Sequence, residues 1–274
     1  MRVSAKVNIS ANGVIFFCFK VVFIHVLVVA GFTGCDSDMS ECGRVIEGHD
    51  YQDYWPWHAV ITHDGGRQCS GSLISSDLVL TNSDCGFDAE FTTTVSLGRR
   101  NTSDFVEFWT VQSRLCYDST GVESGFENAL ACVLTLSVPV NFTDSIYPVC
   151  LAAPDSTLRT GMESWVPSGS PSGGNVEVQV VGNNECRSSI PGLTEHEICA
   201  GPIQSMGSDE LLDECQDGSG GALVTRMNST WIQIGIASSS QSCPRHKTHN
   251  LYNPVSRVTL FAHNYVGQGK HEWL

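Results

Sequence analysis

Residues 72–82 read SLISSDLVLTN. Leu, Ile, Val and Thr come in short runs broken by Ser and Asp, which is the residue choice of extended chain. Working outward, comparable runs recur along the chain: HAVITHDGG (58–66), FVEFWTVQSRL (105–115), ACVLTLSVPV (131–140), NVEVQVVG (175–182) and WIQIGIASS (231–239). The stretches between them are rich in Gly, Ser, Asn, Asp and Pro, the residues of turns. No sustained helical period appears before VSRVTLFAHNYVG (255–267), where a short C-terminal helix is expected. There is no internal repeat and no low-complexity tract. Many strands without intervening helices predict an all-β barrel or sandwich.

The composition supports a packed domain. Of 274 residues, 41% are hydrophobic and only 16% charged, which argues against a disordered chain. Twelve cysteines suit an oxidising compartment if the chain is exported. Arg2 and Lys6 precede the apolar run VIFFCFKVVFIHVLVVA (14–30), which ends on a small residue. Residues 1–30 are therefore expected to be a signal peptide, and the protein to be secreted and extracellular. Lys20 and His25 interrupt the run, and it is short for a membrane span. Membrane contact follows only if residues 14–34 stay attached as a signal anchor.

Loss of residues 1–30 removes Arg2, Lys6 and Lys20 and no acid, taking the net charge from −14 to −17. Such an acidic chain repels nucleic acid and anionic membranes, so neither is expected as a partner. Sequons at Asn101, Asn141 and Asn228 fit export and mark surface loops for glycosylation.

A second stretch bears on chemistry. In ECQDGSGGALV (214–224), Ser219 is flanked by three glycines, which let a backbone approach a ligand closely. This stretch resembles the pattern D.CQGDSGGPLV of the chymotrypsin/trypsin-like serine peptidase family. Three others are similar to that family as well. CGRVIEG (42–48) resembles its activation site, with cleavage after Arg44 freeing Val45. The segment from Trp55 to Cys85 resembles WPWQVSL…CGGSLIS..WVLTAAHC, and ENALACVLTLSVPVNFTDSIYPVCL (127–151) resembles NDIALLKL..PV.FTD.I.PVCL. The resemblance runs from residue 44 to about 266. It implies two antiparallel six-stranded β-barrels with a catalytic cleft between them. The organisation it suggests is a signal at 1–30, a short activation segment at 31–44 and a peptidase domain at 45–274.

The resemblance also implies the bridges Cys42–Cys150, Cys69–Cys85, Cys186–Cys199 and Cys215–Cys243. The family's further pair falls at Ser164 and Thr225, both cysteines being absent together. Cys116 and Cys132 are additional and are expected to pair on neighbouring strands. Cys18 lies in the signal, which leaves Cys35 without an obvious partner.

A serine hydroxyl needs a base to become a nucleophile, an orienter for that base and donors for the oxyanion. At the family's histidine position stands Asp84. With an ordinary carboxylate pKa of about 3.9 it is a poor base at neutral pH and has no proton to give a leaving amine. The family's aspartate position falls on Leu130, counting back from Pro139-Val140, or on Ala129, counting forward from Asn128. Neither supplies a carboxylate. The oxyanion glycine and the aspartate that pairs with the freed N-terminus are reversed here as Asp217 and Gly218. Ser219 is thus expected to be inert. None of His58, His63, His196, His246 and His249 is expected to substitute as base. His246 and His249 lack a third ligand, so neither a metal site nor a cofactor is expected.

Asp213 matches the position that gives trypsin-like members their preference for Arg or Lys. The wall segment reads Ser238–Ser240 where the family has SWG, and near Tyr252 Asn253 replaces a family glycine. Both changes, at Ser240 and Asn253, are expected to narrow the specificity slot. The expectation is a secreted peptidase homologue that binds a protein or peptide partner without cutting it. The alternative is an active secreted trypsin-like endopeptidase.

Overall fold

The computed structural model describes residues 3–9, 15–21, 42–45, 55–64, 68–85, 92–98, 107–118, 129–167, 175–190, 192–194, 196–202, 219–238, 249–256 and 258–259. The chain divides into two units, Met1–Met39 and Ser40–Leu274. The first holds an antiparallel hairpin, β1 (Val3–Ile9) with β2 (Ile15–Val21), in which Val3 faces Val21 and Ile9 faces Ile15. Among the described residues, no helix is long and apolar enough to cross a membrane.

The second unit contains both expected barrels. The first is a closed ring of β3 (His58–His63), β4 (Gln68–Leu73), β5 (Leu78–Asn82), β8 (Ala131–Leu136), β7 (Glu107–Tyr117) and β6 (Thr93–Leu97), every pairing antiparallel. Closure leaves no edge strand open to another chain. Burial alternates along β3 and β6, so Ala59, Ile61, Val95 and Leu97 point inward at the strand period of two. β5 is buried throughout, because its inner face fills the barrel while its outer face meets the second barrel.

The two-residue β9 (Cys150–Leu151) pairs in parallel with the second barrel. That barrel is built from β10 (Glu163–Pro167), β11 (Asn175–Val181), β12 (Ile198–Pro202), β13 (Ala222–Met227), β14 (Thr230–Ala237) and β15 (Asn250–Pro254). The order is β13-β10-β11-β12-β15-β14, and pairing of β13 with β14 closes the ring. Four tryptophans fill the core at the barrel junction. Trp55 meets Trp231 edge-on at 4.4 Å, and Trp57 and Trp165 lie 4.8 Å from Trp55 and 5.1 Å from Trp231 respectively. Each such ring pair contributes about 1 kcal/mol beyond the area it buries.

Several elements differ from the sequence expectation. The run 72–82 is not one strand. β4 ends at Leu73, and Ser75 Oγ donates to Asp77 Oδ1 at 2.9 Å in a turn that leads into β5. Asn183–Ser189 forms α1 where no helical period is visible. Its sequence, NNECRSS, is polar, and one buried residue, Cys186, anchors it through a bridge to Cys199 on β12. The C-terminal helix begins as expected, with helical backbone at Val255–Ser256 and Val258–Thr259. The Thr259 hydroxyl lies 3.0 Å from the Val255 carbonyl oxygen and 2.8 Å from that of Ala152.

The bridges Cys42–Cys150, Cys69–Cys85, Cys116–Cys132 and Cys186–Cys199 are formed. Cys215, Cys243 and Cys35 lie outside the described residues. Ser164 and Thr225, where the family's further bridge would fall, lie buried on paired strands, and Thr225 Oγ1 donates to the Glu163 carbonyl at 2.9 Å. Cys116 and Cys132 are direct register partners on β7 and β8. Cys116→Ala with Cys132→Ala should cost about 3 kcal/mol, the chain entropy of a loop of that size. The urea midpoint under non-reducing conditions checks this; an unchanged midpoint refutes it.

Candidate active-site cleft

Ser219 stands half-buried at the start of the segment that runs into β13, and backbone bonds fasten that segment to both barrels. The Ser70 N–H on β4 donates to the Ser219 carbonyl at 2.9 Å. Gly220 N donates to the Ala237 carbonyl at 3.2 Å, and Ala237 N to the Gly221 carbonyl at 2.8 Å. Gly220 takes φ +85°, a left-handed value, and a Cβ there would lie 2.3 Å from both the Ser70 carbonyl oxygen and Thr81 Oγ1. The chain passes so close to the first barrel that only glycine fits.

The side chain that meets the serine hydroxyl is one that sequence reasoning overlooked. Asn82, 2% exposed at the end of β5, donates through Nδ2 to Ser219 Oγ at 2.8 Å and to the Ala237 carbonyl at 3.1 Å. The carboxamide orientation is fixed by chemistry, since the Ala237 carbonyl can only accept. The disulfide sulfur of Cys85 lies 3.2 Å from Asn82 Oδ1 and packs the other end of the group. In the family segment that this stretch resembles, the position holds alanine. A buried asparagine ending an otherwise apolar strand was the available signal, because asparagine is disfavoured in strands unless its amide has partners.

Asp84 lies in the 3-10 turn Ser83–Cys85, two residues beyond Asn82. Ala129 is buried and Leu130 half-buried, and their backbone is pinned from three sides. Ser83 Oγ donates to the Ala129 carbonyl, Leu130 N donates to the Tyr117 carbonyl at 2.6 Å, and Asn253 Nδ2 donates to the Leu130 carbonyl at 3.1 Å. Through this bond the Asn253 carboxamide ties the second barrel to the first. Its neighbour Tyr252 is buried, and burial pushes its phenol up to about 12, with a hydrogen bond to Asn250 pulling the other way.

Two of the described histidines have hydroxyl neighbours on the first barrel. His58 Nε2 is 3.5 Å from Ser70 Oγ, and His63 Nδ1 is 3.0 Å from Thr93 Oγ1. Among the described residues, no group of three His, Cys, Asp or Glu is placed to hold a metal ion. Asp213, Asp217, Gly218, Ser240, His246 and Asn101 lie outside the described residues. Arg44, Asn141 and Asn228 are exposed and Val45 is half-buried.

Comparison with known proteins agrees with this architecture. Transmembrane protease serine 7 of Mus musculus is 26% identical over 251 residues, covering 85% of this chain and 30% of that protein. Transmembrane protease serine 7 of Rattus norvegicus is also 26% identical over 251 residues, covering 85% of this chain and 29% of its own length. The chain thus spans about three-tenths of the length of these relatives. The family model described as Trypsin matches residues 45–262, a span that takes in both barrels and Ser219. With two closed antiparallel barrels and that match over most of its length, the chain belongs to the trypsin family.

Proposed function

We propose that this protein is a secreted trypsin-family domain that binds a protein or peptide segment without hydrolysing it. The observation that supports this best is the Asn82 carboxamide on Ser219 Oγ. A nucleophilic serine needs a proton acceptor at its hydroxyl. An amide N–H is a donor, and a donor on the oxygen withdraws the electron density that would attack a carbonyl. Asp84 at the base position and Ala129 or Leu130 at the orienter position point the same way. The cleft then acts as a recognition groove, with Asp213 the candidate anchor for a basic side chain. Reversal at Asp217 and Gly218 separates cleavage at Arg44 from any switch, because glycine has no carboxylate for a freed Val45 amine.

The second reading, an active endopeptidase, draws on the retained Ser219 and on relatives whose names contain protease. A fluorophosphonate probe separates the two, since it labels only an activated serine. The expected result is no labelling of the full chain under conditions that label an active trypsin-family enzyme to completion. Labelling that Ser219→Ala abolishes would sink the non-hydrolysing reading.

A further inference from the structure

The Arg44–Val45 bond is built into the surface. Cys42 is bridged to Cys150. Gly43 N donates to the Pro148 carbonyl at 2.7 Å, and the Gly43 carbonyl accepts from Trp231 N at 2.8 Å. Gly43 has φ +70°, and a Cβ there would lie 2.3 Å from the Trp231 carbonyl oxygen. Arg44 is exposed, with its guanidinium carbon 5.0 Å from the centre of the Tyr147 ring.

Both described sequons lie next to this segment. On one side the Tyr147 ring is 5.3 Å from Phe142, the middle residue of Asn141-Phe142-Thr143. On the other, a Cβ at Gly43 would lie 2.8 Å from Thr230 Cγ2, and Thr230 ends Asn228-Ser229-Thr230. Met227 pairs with Thr230, so Asn228 occupies the two-residue turn between β13 and β14, at φ 55°. A second observation concerns the surface itself. Of the four large hydrophobic side chains exposed among the described residues, Val138, Phe142 and Met227 each lie within three positions of Asn141 or Asn228. A bulky sugar on either asparagine would stand over its apolar neighbours in the sequence.

We infer that N-linked glycans on Asn141 and Asn228 flank the Arg44–Val45 bond, cover these apolar side chains and hinder a processing protease, so that the protein stays a single uncut chain. This rests on the secreted reading above. In the modification, the asparagine amide nitrogen forms a bond to the anomeric carbon of a lipid-linked oligosaccharide. The anomeric carbon–phosphate bond breaks, the lipid pyrophosphate leaves with the electron pair, and the nitrogen loses one proton. A protease docked on a protein covers about 800 Å² of its partner, a patch reaching roughly 15 Å from the bond it cuts. Residues one or two packing contacts from Arg44 fall inside that patch, and a glycan on them is bulky and hydrated.

The test uses the full chain from secreting eukaryotic cells, treated with trypsin and read by mass after reduction, because Cys42–Cys150 keeps cut pieces together. Asn141→Gln removes one sequon. Thr230→Val removes the other while keeping Asn228, whose left-handed φ glutamine would fit badly. Without these two glycans, the double variant should be cut after Arg44 roughly tenfold faster than wild type, with an unchanged melting temperature. If the variant melts early, native deglycosylation of the Asn101→Gln variant by a peptide N-glycosidase, which leaves these two sites to be stripped, supplies the same comparison. Unmodified Asn141 and Asn228, a secreted chain already cut at Arg44, or equal cutting rates would each overturn the inference. Probe labelling of Ser219 would overturn the non-hydrolysing reading and leave this one standing.

Discussion

Gly220→Ala should destabilise the Ser40–Leu274 unit by about 4 kcal/mol, combining ~1–2 kcal/mol for a left-handed non-glycine residue with up to ~3 kcal/mol of overpacking. For a domain of this size, that lowers the melting temperature by about 10 °C. The overpacking arises because the new methyl would meet the Ser70 carbonyl oxygen and Thr81 Oγ1, both at 2.3 Å. Thr81 Oγ1 already donates to that carbonyl at 2.8 Å, so neither atom can yield without breaking the bond. Gly161→Ala is the matched control. Gly161 has φ +82° and nothing within 4 Å of its Cβ position, so only the backbone cost of ~1–2 kcal/mol applies. Thermal melts of the two variants compare them directly. Equal losses would mean that the serine segment moves away from β4 easily and that the tight approach is not part of the stable fold.

Asp84→His should leave peptidase activity at background. The comparison spans a large range, because losing the base of an intact serine, histidine and aspartate unit removes about a millionfold in kcat, ~8 kcal/mol of transition-state stabilisation. Restoring an imidazole alone is expected to recover none of it. The orienter position offers Ala129 or Leu130, and the backbone there is already committed to Tyr117, Ser83 and Asn253. The hydroxyl also still carries the Asn82 donor, where the family pattern has alanine. Turnover of an arginyl peptide substrate gives the readout. Measurable activity that disappears when Ser219→Ala is added would show a working oxyanion cradle at residues 217–218.

Legibility followed the range over which each signal acts. The runs at 58–66 and 131–140 were readable as strands because their signals are local: β3 alternates in burial, and β8 is a short apolar run buried at five of its six positions. ESWVP, ICAGP and NLYNP were not, since five residues with proline, glycine or asparagine carry too little periodicity; β10, β12 and β15 exist because the closing ring pairs them. α1 escaped notice for a related reason, as one buried cysteine on a single face leaves no period to count. The Cys116–Cys132 pair was inferable from two spare cysteines on apparent neighbouring strands, and the register places them opposite one another. The contact of the Asn253 amide with Leu130, 123 positions away, carried no local signal.

The residue pattern alone predicted an all-β chain. The resemblance carried by its motifs implied the bridges Cys42–Cys150, Cys69–Cys85 and Cys186–Cys199, which are formed, and put Asp84 at the family's histidine position. Only the folded molecule decided that Asn82 meets Ser219, 137 positions distant, and that the two sequons border Arg44. Such contacts exist only once two rings of strands have closed and packed, because closure sets which distant side chains share a few ångströms, and no local preference encodes that.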